Sequence, residues 1–211
     1  MYLRELNVPG AWEISPRFHN DDRGYFYEAF TDDAFREMTG HRFDLQQMNV
    51  SVSGEGVLRG MHFAEVPPGQ AKYVMCPAGT VFDVVVDIRF GSPTFGEWSG
   101  VLLDSEERRA LYIPEGLAHG FVALEPASTV VYLCSEPWRP DTEHAIDALD
   151  PKLGIDWPTV ALDGTVLSYQ RSEKDADAPS LADLAASGVI PRWEDCEAHV
   201  ESLRARAGGG S

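Results

Sequence analysis

Between residues 45 and 148 the chain is a succession of short β-prone runs with no helical pattern between them. The runs are 46–53, 57–63, 72–76, 81–89, 97–103, 110–114, 119–124 and 129–134, each bounded by glycine, proline or polar turn residues. Strands at that spacing, without crossover helices, predict a mainly β fold, an antiparallel sandwich or barrel. Run 81–89 shows the period of two most clearly. Phe82, Val84, Val86 and Ile88 form a wholly apolar face, and Val81, Asp83, Val85, Asp87 and Arg89 a more polar one. The apolar face is expected in the core.

The flanks are different. Residues 1–16 predict an edge strand and turns, and 21–30 a turn followed by an aromatic strand. Residues 31–40 predict a short helix with Thr31 as N-cap, acids in its first turn and Gly40 at its end. Residues 149–158 are a loop, where Pro151 and Pro158 hold their predecessors extended. Two helices are expected at the C-terminus. One covers 180–188 between Ser180 and Gly188; the other covers 191–207, opens on Pro191, and turns Trp193, Cys196, Val200 and Leu203 to one face. The organisation expected is one domain over 1–207, with a barrel core at 45–148, helices at 180–207 and a flexible tail at 208–211.

A length of 211 residues, 44% of them hydrophobic, is enough to bury a sizeable core. Thirty-four acids against 17 bases give a formal charge of −17, which argues against nucleic acid or an anionic membrane as partner. A small anionic ligand would need a local cationic pocket. No stretch is apolar enough to span a bilayer, and MYLRELNVPG lacks a signal-peptide core. Cys76, Cys134 and Cys196 are far apart and odd in number, as expected of reduced core thiols in a cytoplasmic protein.

Two motifs invite chemistry. In VLRGMHF, 57–63, strict alternation would put Arg59 and Met61 on one side and Gly60 and His62 on the other. A lone histidine there is ordinarily a satisfied core residue. PEGLAH, 114–119, has the PxGxxH spacing and resembles the second motif of cupins, small β-barrels that often hold a metal. The first cupin motif supplies an HxH pair, but here His62, Phe63 and Ala64 lack the second histidine. Glu65 is the remaining donor nearby, and two histidines with one acid make a poor site, so no metal is expected.

The ordered segments DDRGYFYE, QQMNVS, VLRGMHF, GQAKY, FDVVVDIRFGSPTFGEW, YIPEGLAHGF, VYLC, LDPKLGIDWP and SEKDADAP resemble the dTDP-4-dehydrorhamnose 3,5-epimerase family, cupin-like enzymes of deoxysugar nucleotide synthesis. The resemblance implies a cupin-like jelly-roll barrel with short flanking helices. It implies epimerisation of a dTDP-4-keto-6-deoxyhexose at C3 and C5 with no cofactor, in a cytoplasmic homodimer. His62 would be the base, oriented by Asp175, with Tyr132 as the opposing proton donor. Lys72 and His119 would line the sugar pocket, Arg59 would meet the diphosphate, and Glu143 is a further binding position. Arg23 and Glu28, with the segment from Gln47 to Asn49, would hold the nucleotide, and an exchanged aromatic strand would carry Arg23, Phe26 and Glu28 to the partner subunit's site. Trp138 stands where the family usually has tyrosine, and the usual glutamine after the active histidine is missing from HFAEVPP. Those departures bear on substrate fit.

Each residue also has an ordinary meaning on its own. Tyr132 reads as a barrel aromatic, Asp175 as a solvated turn acid, Lys72 as a surface lysine, and Arg23 and Arg59 as ion-pair partners. His19, His41, His144 and His199 are assigned structural or surface places. The alternatives to double epimerisation are a relative inverting C3 or C5 alone, a metal-dependent cupin, and a sugar-nucleotide binding module without catalysis.

Overall fold

The computed structural model describes residues 1–208. The N-terminal part comprises β1 (Tyr2–Glu5), β2 (Trp12–Ser15), a hairpin of β3 (His19–Asp21) and β4 (Gly24–Phe26), and helix α1 (Asp32–Thr39). All eight β-prone runs then appear as strands: β5 (Gln47–Ser53), β6 (Leu58–Ala64), β7 (Lys72–Ala78), β8 (Thr80–Asp87), β9 (Trp98–Asp104), β10 (Ala110–Ile113), β11 (Leu117–Ala123) and β12 (Ser128–Cys134). A short β13 (Glu143–Ala145) and helices α2 (Glu173–Ala176), α3 (Leu181–Ser187) and α4 (Trp193–Gly208) complete the chain. The expected tail falls on Gly208, which ends α4, and on 209–211, which lie outside the described residues.

Two antiparallel sheets make the mainly β, jelly-roll barrel. One has the order β1-β2-β10-β7-β12-β5 and the other β13-β6-β11-β8-β9. Between them lies a buried cluster that includes Val74, Leu111, Ile113 and Val130 from one sheet and Val81, Val85, Leu103 and Phe121 from the other. The outer face of the five-stranded sheet is covered as well. Phe63, Val84, Val86, Ile88 and Val122 pack there against Trp157, Leu181 and Leu184. On the outer face of the six-stranded sheet, Phe35 of α1 packs against Ile14, Tyr73 and Tyr112.

The apolar face of run 81–89 lies in a core as expected, and the layering decides which core. The apolar face of β8 is buried, but it looks outward, under the C-terminal segments. The more polar face lines the barrel interior, with Val81 and Val85 in the inter-sheet cluster. Its two acids are tolerated inside because each has a partner. Asp83 Oδ1 lies 2.8 Å from His119 Nε2. Asp87 accepts from Arg89 at 2.7 and 2.8 Å, from Ser92 at 2.6 Å and from Thr94 at 2.7 Å. Burial opposes the Asp87 charge, but the Arg89, Ser92 and Thr94 bonds outweigh it and hold the carboxyl below its ordinary range.

The helix termini follow their capping signals. Thr31 accepts from Ala34 N–H and Gly40 closes α1 in the left-handed region; Ser180 and Gly188 do the same for α3. Pro191 lies just outside α4, which begins at Trp193. The Trp193 ring stacks on the Arg89 guanidinium, 4.4 Å from its centroid.

The decisive irregularity is in β6. His119 pairs with His62, yet Phe121 pairs with Arg59, so β6 spends one more residue than β11 over the same stretch. That is a β-bulge. It overturns strict alternation: Arg59 and His62 both reach the barrel cavity, while Met61 joins the outer core with Leu58 and Phe63. Gly60 permits it. Its φ is +101°, and a Cβ there would stand 2.6 Å from the His119 carbonyl oxygen and 2.8 Å from Gly120 Cα.

Gly60→Ala should therefore be among the costliest single-methyl additions. Left-handed strain and overpacking together predict a loss of roughly 2–4 kcal/mol. Urea denaturation of the variant beside the parent measures it, and a midpoint unchanged within error would contradict the packing described.

Candidate active site

The barrel opens on a cavity of about 450 Å³. Gln47, Asn49 and Ser51 enter it from β5, Arg59 and His62 from β6, Lys72 from β7, His119 and Phe121 from β11, and Tyr132 from β12. Glu143 of β13, Gln70 and Trp138 form the remainder of the lining that carries polar or aromatic groups. The alternation of β5 explains its share. Gln47, Asn49 and Ser51 point inward, while Met48, Val50 and Val52 are exposed on the other face or the edge.

Two histidine–carboxylate pairs stand side by side. His62 and His119 are direct cross-strand partners. His62 Nε2 lies 2.7 Å from Asp175 Oδ1, and His119 Nε2 lies 2.8 Å from Asp83 Oδ1. Each histidine thus spends Nε2 on a carboxylate and keeps Nδ1 for other work. Asp175 is buried, not the solvated acid that its surroundings in sequence suggest. Ser172 caps the single turn of α2 and brings it there, accepting from the Asp175 N–H at 3.1 Å.

The two acids differ in character. Burial works against ionised Asp175, but the His62 hydrogen bond and charge, with help from Gly60 N–H and Ser172, bring its carboxyl below the ordinary range. Burial dominates at Asp83 and pushes its carboxyl up, although His119 and Lys72 pull the other way. Asp83 Oδ2 has no hydrogen-bond partner among the described residues.

Lys72 is not a surface residue. Burial draws its ammonium below the usual lysine range, opposed chiefly by the negative field of Glu143. Tyr132 faces the cavity, and burial raises its hydroxyl above the ordinary value, which keeps the proton on it at neutral pH. Arg59 donates to Ser53 Oγ at 3.1 Å. Gln47 accepts from the Trp138 N–H at 2.9 Å and donates to Asn49 Oδ1 at 2.8 Å, so β5 holds the loop that presents Trp138.

Ten of the thirteen expected site residues therefore meet: nine in the cavity lining and Asp175 directly behind His62. Arg23, Phe26 and Glu28 do not join them. Arg23 and Phe26 are exposed at the β3–β4 hairpin, and Arg23 pairs with Asp21 at 2.5 Å. Glu65 bonds His144 Nε2 at 2.7 Å, which directs it away from the two central histidines. Asp83, Gln70, Ser51 and Phe121 are lining or supporting groups that motif reasoning did not select. An acid between Phe82 and Val84 in an otherwise apolar run was the available signal for Asp83.

Fold and site together define a jelly-roll barrel whose open end holds a cavity lined by two histidine–carboxylate pairs, a lysine and a tyrosine. The family model for dTDP-4-dehydrorhamnose 3,5-epimerase matches residues 5–183, and the chain belongs to that family. It is an epimerase, an enzyme of the isomerase class. A dTDP-4-dehydrorhamnose 3,5-epimerase of Mycobacterium tuberculosis is 57% identical over 204 residues, 97% of this chain and 99% of that one. The structure of the rmlC epimerase of Mycobacterium tuberculosis superposes with a TM-score of 0.91 at 56% identity, covering 96% of this chain and 100% of that chain. A 3'-monoepimerase from Streptomyces bikiniensis in complex with dTDP-quinovose matches with a TM-score of 0.88 at 42% identity, covering 95% of this chain and 98% of that chain.

The shift at Asp175 carries a stability prediction. A carboxyl whose folded pKa is depressed contributes stability above its unfolded value of about 3.9, and that contribution is lost as pH falls through the folded pKa. Asp175→Asn should lower stability at pH 7 by roughly 1–3 kcal/mol, the scale of a hydrogen bond to a charged group. The parent and variant curves should converge toward the acid end. Urea midpoints measured across pH 2.5–7 check the convergence.

Proposed function

We propose that this enzyme epimerises dTDP-4-dehydro-6-deoxy-D-glucose at C3 and C5, giving dTDP-4-dehydro-L-rhamnose. The observation that carries the proposal is the single cavity holding His62, Lys72, His119 and Tyr132, with Asp175 bonded to His62 from behind. In a 4-keto sugar the hydrogens on C3 and C5 lie α to the carbonyl, so a base can remove them if the enolate is stabilised. His62 takes the proton. Asp175 orients the ring and supports the imidazolium that forms. Lys72 and His119 stabilise the charge that grows on the C4 oxygen in the transition state. Tyr132, protonated in its buried setting, returns a proton to the opposite face. No redox change or cofactor enters this scheme.

Arg59 is assigned the diphosphate, and Gln47, Asn49, Trp138 and Glu143 the rest of the substrate. Arg23, Phe26 and Glu28 lie away from their own cavity, which fits a homodimer in which the β3–β4 hairpin reaches the neighbouring site. Met48, Val50 and Val52 are exposed along edge strand β5, a surface that a second subunit would cover. A cytoplasmic location fits three free, buried cysteines; among the described residues no helix is long and apolar enough to cross a membrane. Inversion of C3 alone is the second reading. The likeness to 3,5-epimerases, at 57% identity, exceeds that to the Streptomyces bikiniensis monoepimerase, at 42%, and does not favour it.

NMR of the product formed in D2O separates the two readings, because double inversion places deuterium at both C3 and C5. Tyr132→Phe should exchange these hydrogens faster than it inverts them, since His62 can return a deuteron to the face it came from. Native epimerisation by that variant would remove Tyr132 from the scheme. Lys72→Met should lower kcat by about 10²–10³, the usual cost of losing one group aimed at a developing oxyanion. Steady-state rates at saturating substrate measure it.

A further inference from the structure

The proposed role of Asp175 as the group that orients His62 raises the question of what orients Asp175, and the inference below rests on that role. Helix α2 is a single turn of four residues and cannot hold a position by itself. Its internal bonds, Asp175 N–H to Ser172 Oγ at 3.1 Å and Ala176 N–H to the Ser172 carbonyl at 2.9 Å, shape the turn without tying it to the barrel. Upstream, Leu58 N–H donates to the Gln170 carbonyl and Gln170 N–H to the Gly56 carbonyl, each at 2.9 Å, and Gly60 N–H reaches Asp175 Oδ2 itself at 3.5 Å. A further tie is a side chain. Arg171 Nη1 donates to Asp147 Oδ1 at 2.6 Å and reaches the Asp175 carbonyl oxygen at 3.4 Å.

Asp147 is anchored to the strand that carries the base. Ala145 pairs with His62, and Ile146 exchanges backbone bonds with Met61 at 2.8 and 3.1 Å. The Asp147 N–H donates to the Pro179 carbonyl at 2.9 Å, downstream of α2. One guanidinium therefore joins the strand holding His62 to the turn holding its carboxylate. We propose that Arg171, latched by Asp147, is a positioning residue that fixes the Asp175–His62 geometry without touching substrate. The pair is partly solvent-exposed, 20% for Arg171 and 31% for Asp147, so it contributes little to global stability. Its effect belongs to alignment, where a displacement of about 1 Å can cost about 10²-fold in rate.

The test compares Arg171→Ala, Arg171→Lys, Asp147→Asn, Asp175→Ala and the double variant R171A/D175A by kcat, KM and thermal midpoint. Arg171→Ala should lower kcat about tenfold or more with KM within about twofold, the signature of a loss expressed in the transition state. Its midpoint should fall by only a few degrees. Arg171→Lys, which keeps the cation on Asp147, should recover most of kcat. The double variant should be no slower than Asp175→Ala alone, because Arg171 acts only through Asp175. Multiplicative losses in the double variant, or parental turnover in Arg171→Ala, would overturn the inference while leaving the function intact. Should Arg171→Ala not fold, Asp147→Asn removes the charge at nearly constant shape, and parental turnover there overturns it equally. Parental turnover in Asp175→Ala would instead remove the role of Asp175 and this inference with it.

Discussion

The contact on which the site depends is between backbones. Gly60 of β6 and Gly120 of β11 approach so closely that a Cβ on Gly60 would meet β11 main chain at 2.6 Å. A Cβ on Gly120 would stand 2.7 Å from the Arg59 carbonyl oxygen. The close approach accommodates one extra residue in β6, and that residue changes the phase of the strand. A regular strand would send Arg59 and His62, three positions apart, to opposite faces. With the bulge, the cation and the imidazole share a cavity, and Met61 fills the outer core.

On that geometry the protein shifts two carboxylates in opposite directions. Asp83 and Asp175 each bond the Nε2 of one of two adjacent histidines. Asp83 lies deep in the barrel, where burial drives it toward neutrality; Asp175 comes from outside on a capped turn, with backbone and hydroxyl donors that favour its charge. Environments that push like groups apart are the usual means by which one pocket divides acid and base roles. The same logic applies to Lys72, a cation drawn down by burial and held up chiefly by Glu143. A chain with a formal charge of −17 repels anions at long range, but screening confines that repulsion, and Arg59 and Lys72 place two cationic side chains in the cavity.

The C-terminal third has a double task. Trp157, Leu181 and Leu184 cover the outer face of the five-stranded sheet. The same segment delivers Asp175 to the back of His62. Without this cover the apolar side of β8 would face solvent, so the segment that closes the core also completes the His62–Asp175 pair.

Much of the protein was legible in its sequence. Alternating β-prone runs with turn residues between them determined eight strands, because period two and local turn chemistry are properties of the chain itself. Thr31 and Gly40, and Ser180 and Gly188, marked two helices by their capping chemistry. Ordered family motifs brought out ten residues that meet at the cavity. Other features needed the tertiary structure. Which face of β8 looks inward depends on what covers the sheet, and Asp83 and Asp87 could enter the barrel only because His119 and Arg89 were there to receive them. The burial of Asp175, 113 positions from His62, is a long-range pairing that no local pattern encodes. The bulge at Gly60 likewise exists only through β11, since a glycine permits a strand to change phase but its neighbour decides that it does.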